Sequence, residues 1–538
     1  MPNKFTQKLA KLKHRFFLDE NEKSFIKFAT KKWGRTGRAR TTQGEVLIDA
    51  LPYYPYLFKA AYVANFLAAE YKLEIRTAAT DYSTSWLHKY IQKFNKFGRI
   101  YRSFGCAEGL NYTSLSSREI SECEQEAASI LDRIESKEDL LEVQFEGIKV
   151  GDLIYDSYLR ENACATVGLK DPRLLALVKM ALVIFRSCKK YIASHDVKKI
   201  VLSHVIYIQY GILARLASRQ GIDVYLFPIR LQIVHKPAPP HYLQTTDHLE
   251  YRSEFLSLGN KENRLAQARA ILSQRLSGVV DAGTYYMVAS AYSATTNSVR
   301  KVFRESGRSR LVVMLHCFFD APHIYRDMLF PDFHEWVDFT LSVAEQTDFD
   351  VYVKPHPNGL PGNDAIVEYF KNKYPKAIFI DKSIPNNQLI AEGIDAAITV
   401  NGTLGHEFPY LGVPVITAGD NPHSAYGFCN QARSKAEYES LIRNADKLPR
   451  NISRAEIEEF FYMHYLYPGY GRLEGNNDLF DFGKRNLYQE GQHSTMLRDL
   501  VSEAESGKFD DVSSRFAEAM SQVERQSTQL GSFERLTK

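Results

Sequence analysis

VYVKPHP at Val351–Pro357, AAITVNGTLGHE at Ala396–Glu407 and VPVITAG at Val413–Gly419 decide the fold. Each stretch begins with a short apolar run that is rich in β-branched residues, and two of the runs end in polar turns, which is typical of buried parallel strands. Helical patterns lie between them, at Ala365–Lys373 and Asn387–Glu392. Strands that alternate with helices of this length predict a parallel sheet covered on both faces.

The same alternation extends towards both ends of the chain. Another strand pattern, Arg310–His316, precedes VYVKPHP. The first half has strand patterns at Glu45–Ala50, Leu73–Thr77, Lys199–Ser203 and Asp223–Phe227, and helix patterns at Leu57–Tyr71, Leu174–Tyr191 and Ile208–Arg219. The sequence thus predicts an α/β fold with two Rossmann-like domains facing a cleft, one at 41–240 and the other at 301–450. We expect a mostly helical insertion at 82–150, a helical linker at 241–300 that contains one charged helix around Glu254–Arg275, and a helical extension at 451–538.

Composition narrows the class of protein. The chain has 538 residues, with 68 Lys and Arg against 64 Asp and Glu, so its net charge of +4 argues against a nucleic-acid binder. Its six cysteines are scattered without metal-binding spacing. No apolar run reaches the roughly 18 residues of a spanning helix, and the first residues lack the apolar core of a signal peptide. We therefore expect a cytoplasmic protein.

The first 40 residues form a basic segment. Phe5, Leu9, Leu12 and Phe16 recur at helical spacing, and lysines occupy the remaining faces. One interpretation is an interfacial helix on the anionic inner membrane surface, which would make the protein peripheral there. The other is a solvated helix that caps the first domain.

KPHP is the first candidate site. Prolines on both sides of His356 stiffen the turn, which follows a strand at the sheet edge where ligands of open α/β sheets bind. Lys354 and His356 at this edge can face an anion. The alternative is a tight turn with a surface histidine.

The strand–turn–helix pattern at Asn401–Glu407 is the second candidate site. Asn401, Gly402 and Thr403 form the turn, where free backbone N–H groups and a capping side chain favour a phosphate. Glu407 lies one turn further, where its carboxylate can accept both hydroxyls of a ribose. The alternative is a capping box around Thr403 without any ligand.

A reaction at a hydroxyl group needs a general base nearby. Asp156 and Asp320 are the two candidates for this role. The alternative for Asp156 is a helix cap or an ion pair with Arg160, and the alternative for Asp320 is a simple turn. His204 follows a predicted strand and can shape the acceptor site, unless it is an ordinary surface histidine. The acidic triplet Asp348–Asp350 lies at the end of its strand opposite the cleft, so we expect no metal site there.

KPHP, the Asn401–Glu407 turn with GHE, and LGVPVITAG together resemble the bacterial capsular polysaccharide glycosyltransferases, including the Kdo-transferase-like proteins, and more distantly the teichoic-acid glycerophosphotransferases. HCFFDAPH at His316–His323 adds to this resemblance and brings His316 and His323 to the expected cleft. The resemblance covers most of 145–440. It implies the GT-B fold, with helical N- and C-terminal extensions here. The domain at 41–240 would then bind the acceptor and the domain at 301–450 the nucleotide donor, whose phosphate would be held by His356 and the 401–403 turn. Many relatives carry two hydroxyl residues at this turn, so Asn401-Gly402 departs from the pattern.

The resemblance implies a metal-independent transferase. It would move a sugar from a nucleotide-activated donor, its substrate rather than a cofactor, to a capsular polysaccharide or its lipid-linked starter. Three alternatives remain open: a CDP-polyol phosphotransferase, a nucleotide-sugar 2-epimerase, and a non-catalytic scaffold of capsule assembly.

Overall fold

The computed structural model describes residues 16–34, 42–78, 95–226, 232–234, 247–280, 290–293, 301–325, 327–357, 359–450, 452–467, 480, 482, 485 and 487–521. Most of the basic segment predicted at 1–40, namely 1–15 and 35–40, lies outside these residues. The part that is described forms helix α1, Glu20–Trp33, which begins with a capping box between Asp19 and Glu22. This helix buries Phe25 and Trp33 in the core of the first domain.

The first sheet has six strands in the order β3-β2-β1-β6-β7-β8. The strands of this half are β1 Glu45–Asp49, β2 Glu74–Ala78, β3 Ala107–Leu110, β4 Gln144–Phe145, β5 Ile148–Lys149, β6 Val197–Leu202, β7 Asp223–Leu226 and β8 Gln232–Val234. Neighbouring strands of the sheet are parallel except for β7 and β8, while β4 and β5 form a separate antiparallel hairpin. Counted without the hairpin, the order is 3-2-1-4-5-6, which places a ligand crevice beyond the ends of β1 and β6.

The second sheet repeats this order as β11-β10-β9-β12-β13-β14, with every pair parallel. Its strands are β9 Arg310–Met314, β10 Asp350–Lys354, β11 Ile378–Phe379, β12 Ala396–Thr399, β13 Val415–Ala418 and β14 Asn430–Ala432. The crevice of this sheet lies beyond the ends of β9 and β12. The two sheets confirm the predicted α/β fold with two Rossmann-like domains.

Helices flank both sheets. Those of the first half are α1, α2 Tyr54–Tyr71, α3 Lys96–Ser103, α4 Ser117–Leu131, α5 Lys137–Leu141, α6 Gly151–Asn162, α7 Pro172–Ser194 and α8 Ile208–Arg219. Those of the linker and second half are α9 Asp247–Ser257, α10 Lys261–Leu276, α11 Phe333–Ala344, α12 Asn363–Lys373, α13 Asn386–Glu392, α14 Leu404–Tyr410 and α15 Lys435–Arg443. After them come α16 Arg454–Phe461, α17 Leu487–Glu490 and α18 Thr495–Glu505. In the described part of the chain, no helix combines the length and apolarity needed to cross a membrane.

Five short strands of the described structure, β3, β4, β5, β8 and β14, were not predicted from the sequence. The region 82–150, expected to be mostly helical, also contains β3 and the β4–β5 hairpin, while residues 79–94 lie outside the described part. The residues of β3, AEGL, include no β-branched side chain, and among the described strands β3 pairs with β2 alone, at the sheet edge. Edge strands need less burial, so β3, β8 and β14 carry a weak periodic signal. The single helix expected near 254–275 is two helices, because Asn260 has a left-handed φ of 52°.

The C-terminal region crosses back to the first domain. Residues 452–467 pack against the linker helices α9 and α10. Beyond them, Phe480, Phe482 and Phe509 surround Phe58 of α2, with ring centroids 5.2–6.1 Å apart. The end of the chain therefore contributes to the core behind the first sheet.

Candidate functional site

A cavity of about 850 Å³ lies between the two halves. Its walls come from the turns that follow the strands of the second sheet, from two residues of the first half, and from the linker. The site residues predicted from the sequence that line it are Lys354, His356, Asn401, Gly402, Thr403, Glu407, His316, Asp320, Arg160 and His204. The structure brings these ten residues together at the crevice that the strand order places beyond β9 and β12.

Lys354 ends β10 and is 98% buried, with its Nζ donating to Asn386 Oδ1 at 2.6 Å. None of the described carboxylates lies within ion-pairing distance of this amine. Burial lowers the pKa of Lys354 to about 8. A buried ammonium group without a counterion is costly, so an anion in the cavity would stabilise it.

His316 and His356 lie close together at the same wall. The His316 ring stacks on Phe333 with centroids 4.6 Å apart, and its Nε2 accepts the Val400 N–H at 3.4 Å. Burial, aided by the nearby His356, lowers the pKa of His316 to about 3. His316 is therefore neutral at pH 7 with its proton on Nδ1, so it presents a donor without carrying charge.

The turn at Asn401–Thr403 departs from the capping-box alternative. Thr403 has helical backbone angles and makes no side-chain capping bond to α14. The Nδ2 of Asn401 is buried and has no hydrogen-bond partner in the described structure. A Cβ atom on Gly402 would lie 3.0 Å from Thr399 Oγ1, so glycine permits the close approach of this turn to β12. The turn thus leaves an amide donor and a hydroxyl at the cavity.

Glu407 is held by the linker. Its Oε2 accepts the Tyr292 hydroxyl at 3.0 Å, and its Oε1 lies 3.7 Å from Nη1 of Arg275. Arg275 is itself buried between the rings of Phe461 and Tyr465, at 4.8 and 4.3 Å. These contacts fix the carboxylate at the cavity wall.

The first half supplies Arg160 at the end of α6 and His204 after β6. Burial, aided by the charge of Arg160, lowers the pKa of His204 to about 4. Asp320 also lines this part of the cavity, and its Oδ1 accepts the Ala321 N–H at 3.0 Å. Tyr207 lies near both charged groups, and burial followed by the Asp320 carboxylate raises its pKa.

Asp156 and His323 lie away from the lining of this cavity. Asp156 is on the buried face of α6, and its Oδ1 accepts from Nδ1 of His323 at 2.6 Å. His323 belongs to a short 3₁₀ turn, Pro322–Ile324, and it lines a separate cavity of about 220 Å³. Of the two carboxylates proposed as the base, the structure therefore places Asp320 at the main cavity and uses Asp156 in an interdomain contact.

Sequence reasoning missed the contribution of the linker. Arg275 and Tyr292 gave no motif, because one ends a charged helix and the other lies in an irregular segment. In a helix with many charged residues, the sequence does not show which arginine is buried. That becomes known only when the face of the helix that packs inwards is known. Asn386, which accepts from Lys354, was likewise not predicted.

No family model matches the chain, and no curated protein matches it. Among solved structures it is similar to KpsC of Thermosulfurimonas dismutans, a β-Kdo 2,4 transferase, with 13% identity over 50% of this chain and 80% of that one, at a TM-score of 0.33. The β-Kdo 2,7 transferase of the same KpsC shows 15% identity over 52% and 89%, with a TM-score of 0.27. The UDP-GlcNAc 2-epimerase from Neisseria meningitidis, solved with UDP-GlcNAc, shows 10% identity over 78% of this chain and 97% of the epimerase chain, with a TM-score of 0.24.

TM-scores this low carry no argument about substrate or reaction. The fold is assigned from the two sheets of this chain, their shared strand order and the cavity between them. By these features the chain is an α/β protein of two Rossmann-like domains facing a cleft, the GT-B arrangement.

Proposed function

We propose that this protein is a glycosyltransferase that moves a sugar from a nucleotide-activated donor to a capsular polysaccharide or its lipid-linked starter. The observation that carries the proposal is a pair of buried nitrogen groups at the cavity whose needs the described residues do not fully meet. Lys354 is a buried amine without a described carboxylate partner, and Asn401 presents a buried amide nitrogen without a described hydrogen-bond partner. Phosphate oxygens would satisfy both groups.

The donor phosphate would lie between Lys354, His356 and the turn that contains Asn401 and Thr403. Positive charge and donors at this position would stabilise the negative charge that develops on the leaving nucleotide. Glu407, fixed by Arg275 and Tyr292, would accept the ribose hydroxyls. A cavity of about 850 Å³ has room for a nucleotide sugar.

The acceptor would enter from the face that carries Arg160, His204 and Asp320. Of the two bases proposed from the sequence, Asp320 is the one at this face, while Asp156 is committed to His323. We propose that the transfer proceeds without a resident metal ion, with Lys354 and neighbouring donors stabilising the leaving phosphate.

Thermal shift with CMP, CDP, UMP, UDP and GDP tests the proposal. We expect one nucleotide at about 100 times its Kd to stabilise the wild type by about 2.7 kcal/mol, and the shift to vanish in His356→Ala and Thr403→Ala. The exposed His493 provides the matched control, and His493→Ala should keep the shift. Absence of a shift with every nucleotide would contradict the proposal and favour the scaffold.

Turnover of the matching donor separates the remaining alternatives. A glycosyltransferase should release free nucleotide, slowly with water and faster with an acceptor. An epimerase should convert a nucleotide sugar into its epimer without releasing nucleotide. A polyol phosphotransferase should release CMP from a CDP-polyol.

We also propose that the protein acts in the cytoplasm at the inner membrane surface, with its basic first residues as the anchor. Removal of residues 1–15 should then release the protein from phosphatidylserine vesicles at low salt. Vesicle binding that is unchanged by the deletion would contradict this role.

A further inference from the structure

Behind His204, a chain of hydrogen bonds leads into the first domain. His204 Nδ1 lies 2.9 Å from Oγ of Ser203, and this hydroxyl donates to Oδ2 of Asp49. The Ser203 N–H donates to the same carboxylate oxygen at 3.0 Å. Asp49 ends β1 and Ser203 follows β6. The chain of hydrogen bonds therefore joins the ends of the two neighbouring strands at which the strand order of the first sheet reverses.

The geometry points to His204 as the base that takes the proton from the acceptor hydroxyl, with Ser203 and Asp49 relaying that proton into the first domain. This inference rests on the proposed glycosyl transfer. His204 lines the main cavity, and in the described structure its Nε2 makes no hydrogen bond. The imidazole therefore has one nitrogen committed to the relay and the other available to a substrate.

The hydrogen bonds between His204, Ser203 and Asp49 determine which nitrogen of the resting His204 carries the proton. While Asp49 is ionised, the Ser203 hydroxyl donates to its carboxylate, so the Ser203 oxygen accepts from the protonated Nδ1 of His204. This leaves a lone pair on Nε2. His204 therefore rests in the tautomer that a base requires.

The transfer step balances as follows. The acceptor oxygen forms a bond to the anomeric carbon, and the bond from that carbon to the nucleotide phosphate breaks with its electron pair on the phosphate. The acceptor proton moves to Nε2 of His204, the Nδ1 proton to Ser203 Oγ, and the Ser203 proton to Oδ2 of Asp49. His204 ends as the other neutral tautomer, and Asp49 ends as a neutral acid.

The electrostatics favour a relay over a lone histidine. Burial, followed by the charge of Arg160, lowers the pKa of His204 to about 4, so a cationic imidazolium is disfavoured. Burial raises the pKa of Asp49 to about 7 despite its bonds from Ser203, and its Oδ1 is without a described partner. Three further titratable side chains from the described elements lie near Asp49 and its hydrogen-bond chain. They are Tyr101, Tyr112 and Tyr210. Their phenols stay neutral near pH 7 because burial raises the pKa of each, so Asp49 is the group that can store the proton.

Histidine nitrogen NMR on the full chain tests the relay without any substrate. We expect His204, identified by signals lost in His204→Gln, to remain neutral from pH 5.5 to 8.5. Its proton should lie on Nε2 below about pH 7 and on Nδ1 above it, and Asp49→Asn should abolish this exchange. A single tautomer across the range, or a cationic His204 near pH 6.5, would overturn the inference.

Donor turnover tests the catalytic role. With a donor that stabilises the protein, wild-type release of nucleotide should rise as the pH passes about 7. His204→Gln should be at least about 100-fold slower, as expected for loss of a general base, and Asp49→Asn should lose the rise near pH 7, with Asp49→Glu restoring part of it. The exposed control His493→Gln should match the wild type.

The outcomes separate the two proposals. Wild-type rates and pH profiles in His204→Gln overturn the base assignment while the glycosyltransferase proposal stands, and Asp320 then becomes the base to test. If no donor binds, the proposed function fails, and with it the catalytic role of His204. The NMR titration still decides whether the proton relay exists.

Discussion

His323 and Asp156 form a buried contact across the boundary between the two halves, with Nδ1 and Oδ1 2.6 Å apart. A second contact lies beside it, where the Tyr155 and Thr166 hydroxyls donate to Oδ2 of Asp332 at 2.6 and 2.5 Å. Buried polar groups that satisfy one another in this way specify one arrangement of the surfaces that carry them. The orientation of the two domains, and with it the shape of the cavity, depends on this cluster.

His323→Gln should lower stability in a pH-dependent way. Burial opposes protonation of His323, but Asp156 and the neighbouring Asp152 and Asp332 outweigh it and raise its pKa above 6.5. A histidine with a raised folded-state pKa stabilises fully below its unfolded value of about 6.5 and loses this contribution as the pH rises through the folded value. The variant should therefore cost about 3 kcal/mol at pH 5.5 and progressively less at higher pH.

Thermal unfolding of both proteins between pH 5.5 and 9 measures this difference. His493→Gln, at an exposed position, is the matched control and should follow the wild type. If the difference in stability between the wild type and His323→Gln grew with rising pH, it would contradict the assignment of a protonated His323.

Lys354→Gln should weaken nucleotide binding about 10- to 100-fold, because a hydrogen bond to a charged group contributes about 1.5–3 kcal/mol. The pKa of Lys354 is about 8, so the wild-type amine is charged below pH 8 and neutral above it. Wild-type affinity should fall as the pH passes 8, and the variant should lack this step. Calorimetric titration at several pH values measures both, with the exposed Lys376→Gln as control. Equal pH dependence in wild type and Lys354→Gln would exclude contact between this amine and the ligand.

Gly402→Ala should weaken nucleotide binding about tenfold with little effect on stability. The new Cβ would lie 3.0 Å from Thr399 Oγ1 and 3.5 Å from Cε1 of His316, so the turn must shift away from the cavity wall. Gly427→Ala is the matched control, since a Cβ there meets nothing within 4 Å. Titrating both variants with the stabilising nucleotide gives the comparison, and equal affinities would show that the turn does not touch the ligand.

Local patterns carried most of the fold and the donor side of the site. KPHP and the Asn401–Glu407 turn were predicted because a buried strand followed by a proline or glycine turn fixes both the local structure and the sheet edge on which it lies. Strand β3 was missed because an edge strand without β-branched residues has no periodic signal. The single predicted linker helix was wrong because Asn260 breaks it with a left-handed backbone.

Long-range pairings could not be predicted from local patterns. Asp156 meets a histidine 167 positions away, and Asp49 meets a serine 154 positions away. The residues next to Asp156 in the sequence do not show that its face of α6 meets a histidine. Likewise, the residues next to Asp49 do not show that its carboxylate meets a serine. The structure was therefore needed to decide between Asp156 and Asp320. It was also needed to find the hydrogen bonds that link His204 to Ser203 and Asp49.

Arg275 and Glu407 should show strong energetic coupling. Arg275→Leu leaves the buried Glu407 carboxylate without its guanidinium, which should cost about 3–5 kcal/mol and disturb the cavity wall. Glu407→Gln removes the charge but keeps the hydrogen-bonding shape, so in Arg275→Leu it should recover part of that loss. Denaturant unfolding of the wild type, both single variants and the double variant gives the coupling energy. Additive effects would show that the 3.7 Å approach of Arg275 to Glu407 contributes nothing to the stability of the fold.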